Sequence, residues 1–403
     1  MNFDAVRAVA DAVLLEGYVL YPYRASAVKN RYRFAFGVVA PKAWGQERSS
    51  MRVDCLVAGP PERLLLRGLL RFLHIEERRV ERYLSSGEME EVDALEVGGE
   101  LHLPWEEGRL REVPFMGEGV QRFELPGGYE IRWLRENEEL RGRLVRTWSA
   151  VEGEIRCGVE RLGPELARVR IELENVCTAV PSTRSEAIGR SLVSAHVLLG
   201  AHGGTFLSLL DPPDFAREAA RACESDGLFP VLAGEPGCGD LVLAAPIILY
   251  DHPTIAPESP GDFFDATEID ELLALRTATL TEEEKREARA TDPRAARLID
   301  RVERLSPEGM GRLHGAFRSR RDARAMAALP RPGDRVRIRA GRRRTDAQDL
   351  LLEGMTARVE KVMQDVGGDH FLALTIEGDP AAALNREFGR FHYFRLDEVE
   401  VLS

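Results

Sequence analysis

Alternation of apolar and polar residues dominates the first half of the chain. Between Gly17 and Val176 it is clearest over residues 32–40, 51–59, 128–134, 153–162 and 167–176. Turn residues such as Gly-Pro-Pro at 59–61 separate these runs. The pattern is typical of antiparallel strands with one face in water. It predicts a β-sandwich-like domain over residues 1–180, which begins with an amphipathic helix.

The pattern changes from Pro181 onwards, where helical spacing becomes common. It predicts an amphipathic helix over residues 185–204 after a Ser182 or Thr183 cap, a helix over 211–227, a buried strand over 240–250 and charged helices over about 267–324. Gly203 and Gly204 fit the end of the first helix, and Asp211 fits the cap of the second. Residues 181–325 are therefore expected to form an α-rich domain.

The last segment, residues 326–403, returns to short apolar runs. Glycine-containing turns separate these runs at regular intervals. Such spacing is typical of a small closed β-barrel, and the segment resembles SH3-like barrels. The chain of 403 residues exceeds one ordinary core, so the expected fold is a multidomain α+β protein with three domains.

Charge and composition narrow the classes of function. The chain has 55 basic and 67 acidic residues, a net charge of −12, which argues against a nucleic-acid coat. Its longest apolar stretch, residues 241–250, is shorter than the roughly 20 residues that span a membrane. We therefore expect no membrane span and a cytoplasmic protein. Five cysteines at irregular spacing indicate neither a disulfide framework nor a zinc knuckle.

One acidic segment, residues 250–271, collects carboxylates around a single imidazole. Its candidate metal ligands are His252, Glu258, Asp262 and Asp265. Histidine and carboxylate ligands suit iron or nickel, and His196 and His202 could join them in three dimensions. The favoured alternative is structural, because prolines stiffen this loop and acids gather near the positive end of the next helix. The sequence identifies no cofactor, and a divalent metal is the alternative to none.

The chain lacks the common catalytic motifs. No GxSxG elbow, P-loop, HExxH motif or dinucleotide-binding glycine fingerprint occurs. This absence favours a non-enzymatic role. A metal-dependent enzyme that uses residues 250–271 is the alternative.

Two segments are candidates for binding a partner. Residues 21–37 interleave aromatic and basic side chains, which predicts a protein interface with Tyr21, Tyr23, Arg24, Arg31 and Arg33. A half-buried strand is the alternative. The second segment, Arg318 to Arg344, is rich in arginine, and Arg342, Arg343 and Arg344 are its candidates. It could bind an acidic protein surface or RNA. The favoured alternative is an intramolecular contact, because the segment lies between the acidic helices and the barrel, and nucleic acid is not the expected partner.

Three stretches together resemble a known family. They are residues 246–295, residues 15–37 and the downstream runs PGDRVRI, GMTARVEKV and FRLDEVE. They are similar to a family of accessory proteins encoded beside nickel-iron hydrogenases of the high-affinity actinobacterial type. The resemblance implies a role in assembling, maturing or docking the hydrogenase, with a hydrogenase subunit or a maturation factor as protein partner. It carries over no residue role.

Overall fold

The computed structural model describes residues 3–255, 270–305, 330, 332–339, 352, 354–364, 370–377, 391–395 and 398–402. The chain divides into two compact units, Met1–His314 and Gly315–Ser403. Strands are more abundant than helices, and all the paired strands are antiparallel apart from an isolated bridge. Within the described ranges, none of the sheets closes into a barrel. Within the same ranges, no helix is both long and apolar enough to cross a membrane.

The first unit combines many strands with short helices. Its strands are β1 (Ser50–Ala58), β2 (Leu65–Tyr83), β3 (Met89–Glu91), β4 (Leu95–Val97), β5 (Glu100–His102), β6 (Trp105–Met116), β7 (Gly119–Leu125), β8 (Gly128–Glu136), β9 (Glu139–Trp148), β10 (Val151–Gly163), β11 (Leu166–Asn175), β12 (Val193–His202), β13 (Thr205–Leu207), β14 (Ser225–Asp226), β15 (Phe229–Ala233) and β16 (Leu241–Ala245). Its helices are α1 (Asp4–Leu15), α2 (Arg184–Ile188), α3 (Arg217–Arg221), α4 (Asp270–Ala278), α5 (Glu282–Thr291) and α6 (Pro293–Glu303).

Two large sheets organise this unit. The six-stranded sheet has the order β13-β1-β11-β10-β7, with β14 beside β1. The eight-stranded sheet has the order β15-β16-β12-β2-β9-β8, with β3 and β6 also paired to β2. One buried cluster contains side chains of both sheets, such as Val53 and Ile171 from the first and Phe72 and Val197 from the second. The predicted predominance of antiparallel strands is confirmed.

Helices cover the other face of the eight-stranded sheet. The apolar stripe of α1, with Val6, Ala10 and Val13, packs against Leu69 and Leu198. Residues of α4 to α6 share a further core with β2 and with the segment after α1. Strand β12 therefore lies between two apolar layers, which explains why it is buried along nearly its whole length.

The predicted helix over residues 185–204 is wrong. Thr183 does cap a helix, because its side chain accepts a hydrogen bond from the backbone N–H of Glu186, but α2 ends at Ile188. The residues that follow form β12, which pairs with β2 and β16. A strand buried on both faces carries a continuous apolar run and loses the alternation that identifies a strand. Strands of the predicted α-rich region thus complete a sheet of the predicted first domain.

Two further predictions need correction. Residues 32–40 do not form a strand; a 3-10 turn spans Val28–Tyr32, and Val39 forms an isolated bridge to Leu192. The helix predicted over 211–227 shrinks to the five residues of α3 after a short 3-10 turn. Buried Asp54 holds the end of this segment on β1, since it accepts a hydrogen bond from the backbone N–H of Glu224 at 3.0 Å.

Of the charged helices predicted over about 267–324, α4, α5 and α6 are confirmed, and residues 306–324 lie outside the described residues. A capping box between Thr281 and Glu284 begins α5. Asp292 caps α6, and Pro293 occupies its first turn, where a missing N–H costs nothing. The sequence Asp292-Pro293 thus splits one predicted helical run into two packed helices.

The second unit contains a five-stranded sheet. Its strands are β17 (Arg335–Ile338), β18 (Thr356–Gln364), β19 (His370–Ile376), β20 (His392–Arg395) and β21 (Val399–Leu402). They lie in the order β20-β19-β18-β17-β21 around a core that includes Val336, Val359, Leu372 and Phe394. The predicted strands of this segment are confirmed, and closure into a barrel stays a prediction.

Candidate functional site

Of the predicted metal ligands in the acidic loop, the structure describes His252. Its backbone N–H donates to the carbonyl oxygen of Leu232 at 2.7 Å, and its Nδ1 lies 3.2 Å from the carbonyl oxygen of Gly234. The half-buried imidazole therefore contacts the backbone around β15. Glu258, Asp262 and Asp265 lie outside the described residues.

His196 and His202 cannot bind one metal ion together. Both belong to β12, and six residues of extended strand separate their backbones by about 20 Å. His196 is fully buried, with Nδ1 2.8 Å from the carbonyl oxygen of Ser194. Burial lowers the pKa of His196 to about 4, so the imidazole is neutral at neutral pH. His202 is exposed. Among the described side chains, no group of three or more His, Cys, Asp or Glu is placed to hold a metal ion.

The aromatic and basic segment at residues 21–37 packs inside the first unit. Tyr23 and Arg33 are buried, so the prediction that they form a partner interface is wrong. Arg24 forms an ion pair with Glu284 of α5 at 3.0 Å, and Tyr21 is half-buried. The structure does not describe the side chain of Arg31, and Arg342, Arg343 and Arg344 also lie outside the described residues.

Contacts within the protein hold the buried side chain of Arg33. Its guanidinium lies 3.5 Å from the ring centroid of Trp105, and its Nε donates to the carbonyl oxygen of Asn30 at 3.0 Å. Burial lowers the pKa of Arg33 to about 10, with partial compensation from Glu106. Arg33 therefore remains charged at neutral pH and is held by contacts within the protein.

The structure reveals a different candidate, a cleft of about 690 Å³ in the first unit. The hairpin β4–β5, strands β8 and β9, and helices α5 and α6 form its walls. We call it the arginine cleft, because its cationic lining residues are Arg78, Arg132, Arg146, Arg286 and Arg289. Glu100, Glu282 and Asp292 also line it.

Two of these arginines are fixed in place. Arg78 is buried; its Nη2 donates to the carbonyl oxygens of Ala290 at 2.8 Å and Thr291 at 2.9 Å, and its Nη1 donates to Glu107 at 2.7 Å. The Nε of Arg146 donates to the same carboxylate at 2.6 Å. A guanidinium held in this way loses little conformational entropy when it binds a ligand.

Arg132 is the most available cation of the cleft. It is exposed, and it forms no ion pair with any described residue. The half-buried His102 lies in the same cleft, and burial, together with the charges of Arg132 and Arg78, lowers the pKa of His102. Of the lining carboxylates, Glu282 pairs with Lys285 at 2.9 Å. Arg286 pairs with Glu96 at 2.6 Å, and Arg289 pairs with Asp300 and Glu303. Arg132 is therefore the lining cation that is left to pair with an anionic ligand.

Asp292, the buried carboxylate of the cleft, is fully occupied by its own contacts. Its Oδ2 accepts a hydrogen bond from the hydroxyl of Tyr18 at 2.7 Å, and its Oδ1 accepts one from the backbone N–H of Arg294 at 2.7 Å. It therefore stabilises the wall of the cleft and offers little to a ligand.

Sequence reasoning missed the arginine cleft entirely. Arg78, Arg132, Arg146 and Arg289 come from four elements, of which only β8 and β9 are consecutive, so no local pattern marks them. Comparison with known proteins adds no assignment: no protein-family model matches the chain, and no curated protein matches it either.

Proposed function

We propose that the protein is a non-enzymatic accessory protein that binds an acidic segment of a protein partner in the arginine cleft. The observation that carries this proposal is the exposed, unpaired Arg132 beside the fixed Arg78 and Arg146. The resemblance of the sequence to accessory proteins of nickel-iron hydrogenases supplies the partner, a hydrogenase subunit or one of its maturation factors.

The chemistry of the lining supports binding over proton transfer. A guanidinium is always protonated near neutral pH, and it presents several donors in a fixed plane that matches a carboxylate. It does not serve as a general base. A wall of arginines therefore recognises anions by charge and geometry.

Apolar surface between the arginines supports a protein segment as the ligand. Leu101, Leu144, Ala290 and Ala296 line the same cleft. A segment that carries carboxylates together with small apolar side chains would satisfy both kinds of surface.

We also propose that the first unit contains a β-sandwich and that the second unit is an SH3-like barrel. The common core of the two large sheets supports a β-sandwich, and the order of strands β20-β19-β18-β17-β21 supports an SH3-like barrel in the second unit. A bulge in β18 between Val359 and Lys361 would help such a sheet to bend. Both folds are suited to present surfaces to other proteins.

The test introduces a negative charge into the cleft. Ala296 lines the cleft on α6, whereas its neighbour Arg297 is exposed and does not line it. Binding of purified hydrogenase subunits to the full chain would be measured by calorimetry for the wild type, Ala296→Glu and Arg297→Glu. We expect Ala296→Glu to weaken binding at least about tenfold, and Arg297→Glu to bind like the wild type. Equal binding by both variants would remove the cleft from the account, and no binding by the wild type would overturn the proposed function.

A further inference from the structure

Strand β8 lies at one end of the eight-stranded sheet and has an open edge. It pairs with β9 from Gly128 to Glu136. Among the strands that the structure describes, none pairs with its other edge. An open edge of this length presents backbone N–H and C=O groups that can pair with a strand of another chain.

Strand β8 contains neither proline nor lysine, although four of its residues, Glu130, Arg132, Arg135 and Glu136, are charged. Tyr129, Ile131 and Trp133 lie on one face of the strand, and Glu130 and Arg132 lie on the other. Tyr129 is 71% exposed and Trp133 is 50% exposed. Edge strands that stay single usually carry proline, lysine or inward charges. Large exposed aromatic side chains instead mark surfaces that become buried on association.

We propose that the β8 edge binds a second copy of this chain, with the two β8 strands antiparallel about a twofold axis at Ile131. In this register Ile131 lies opposite Ile131 of the other copy. Tyr129 lies opposite Trp133, and Glu130 lies opposite Arg132, and symmetry forms each of these pairs twice. The two eight-stranded sheets then become one continuous sheet.

Charge selects this register over its neighbours. A twofold axis perpendicular to the sheet keeps each residue on its own face, so the axis must lie midway between one residue and the same residue of the other copy. An axis at Glu130 would place two glutamates opposite each other, and an axis at Arg132 would place two arginines opposite each other. Like charges in directly opposed positions destabilise strand pairs. The axis at Ile131 is the one that opposes Glu130 to Arg132.

Arg132 belongs both to this contact and to the arginine cleft, so the tests of the two proposals use different variants. The first test of the dimer is the mass of the full chain in sedimentation equilibrium over a micromolar concentration series. The expected mass is twice the 45.0 kDa of one chain. A monomer at all concentrations would overturn the inference.

A charge exchange tests the contact directly. Glu130→Arg opposes arginines at two symmetric positions and should weaken dimerisation about tenfold. Adding Arg132→Glu to it restores opposite charges and should restore the dimer. Arg135→Glu, on the same strand but outside these pairs, is the matched control. Since Glu130 also lies 3.6 Å from Arg109, thermal unfolding of each variant checks the fold. A double variant as weak as the single one would contradict the register.

A cross-link supplies a second readout. Opposed residues of antiparallel strands have Cα atoms about 4.5–5.5 Å apart, which suits a disulfide. Ile131→Cys, made with the exposed Cys238 replaced by serine, should give a covalent dimer on mild oxidation, and Arg135→Cys should not. Absence of the Ile131→Cys cross-link in a dimeric sample would overturn the register. Ala296→Glu should dimerise normally, so this proposal and the cleft proposal fail separately.

Discussion

The hydroxyl of Tyr18 donates a hydrogen bond to the carboxylate of Asp292 at 2.7 Å, although 274 positions separate the two residues. Both side chains are buried. The same hydroxyl accepts a hydrogen bond from the backbone N–H of Gly108 at 2.8 Å. Burial raises the pKa of Tyr18, so the phenol keeps the proton that it donates. The pair joins the segment after α1, strand β6 and the start of α6, and thereby holds one wall of the arginine cleft.

Tyr18→Phe should destabilise the first unit by about 1–3 kcal/mol, because it removes the acceptor of the buried Gly108 N–H and one of the hydrogen bonds to the Asp292 carboxylate. The measurement is urea unfolding followed by tryptophan fluorescence. All four tryptophans, at positions 44, 105, 133 and 148, belong to the first unit. Tyr129→Phe, which removes an exposed hydroxyl, is the control and should leave the midpoint unchanged. An unchanged midpoint for Tyr18→Phe would show that the pair contributes little.

Replacing Arg33 by lysine should cost about 2–3 kcal/mol in the same assay. The guanidinium stacks on Trp105 and donates to the backbone oxygens of Asn30 and Glu106, and a lysine ammonium cannot reproduce this planar arrangement. Arg135→Lys, at an exposed position, should be neutral. A stable Arg33→Lys variant that loses partner binding would instead restore Arg33 as an interface residue.

Stability of the first unit should fall as the pH decreases from about 6.5 to 4. Burial lowers the pKa of His74 and of His196 to about 4, whereas both have a pKa near 6.5 in the unfolded chain. Below pH 6.5 the unfolded chain binds protons that the folded protein does not yet accept. Each histidine therefore contributes stability that is complete above pH 6.5 and is lost towards pH 4, up to about 3 kcal/mol.

Urea unfolding at a series of pH values tests this dependence. His196→Asn should reduce the fall in unfolding free energy between pH 6.5 and 4, with His74 and His102 accounting for part of the remainder. His202→Asn, at an exposed position of the same strand, should leave the fall unchanged. A wild-type profile that is flat in this range would contradict neutral, buried histidines.

Asp54→Ala should loosen the segment that contains α3. The buried carboxylate accepts two hydrogen bonds from Arg170, at 2.7 and 2.9 Å, and one from the backbone N–H of Glu224 at 3.0 Å. Its removal should cost about 3 kcal/mol and accelerate tryptic cleavage at Arg217 or Arg221. Glu172→Ala, which breaks a surface pair with Arg156, should cleave like the wild type. Equal cleavage rates would argue that other contacts hold the segment.

Sequence analysis predicted the elements that bury only one of their faces. Strand β11, with alternate residues buried, falls within a residue of its predicted bounds, 167–176. Strand β12 was predicted as a helix because both of its faces are buried: residues 193–201 are all buried, Ser194 and His196 included, so no strand alternation marks them. Whether such a segment becomes a helix or a strand depends on the elements that pair with it, here β2 and β16. The local sequence of the segment does not identify these elements.

The site was less accessible to sequence reasoning than the fold. The interface prediction rested on a local cluster of aromatic and basic residues around Arg33. Tyr23 and Arg33 of that cluster are buried in the folded protein. The arginines of the cleft are isolated in sequence and become neighbours when β8, β9 and α5 pack together. Spacing along the chain carries little information about such a site.

Purification from the native source under anaerobic, reducing conditions is the most direct test of the central claim. Co-purifying proteins and bound metals would be identified in the same sample, for the wild type and for the variants Ala296→Glu, Arg297→Glu and His252→Ala. The account predicts a hydrogenase subunit or maturation factor in stoichiometric amount with the wild type, lost in Ala296→Glu and retained in Arg297→Glu. Near-stoichiometric metal that disappears in His252→Ala, with no such partner, would contradict it and favour a metal-dependent enzyme.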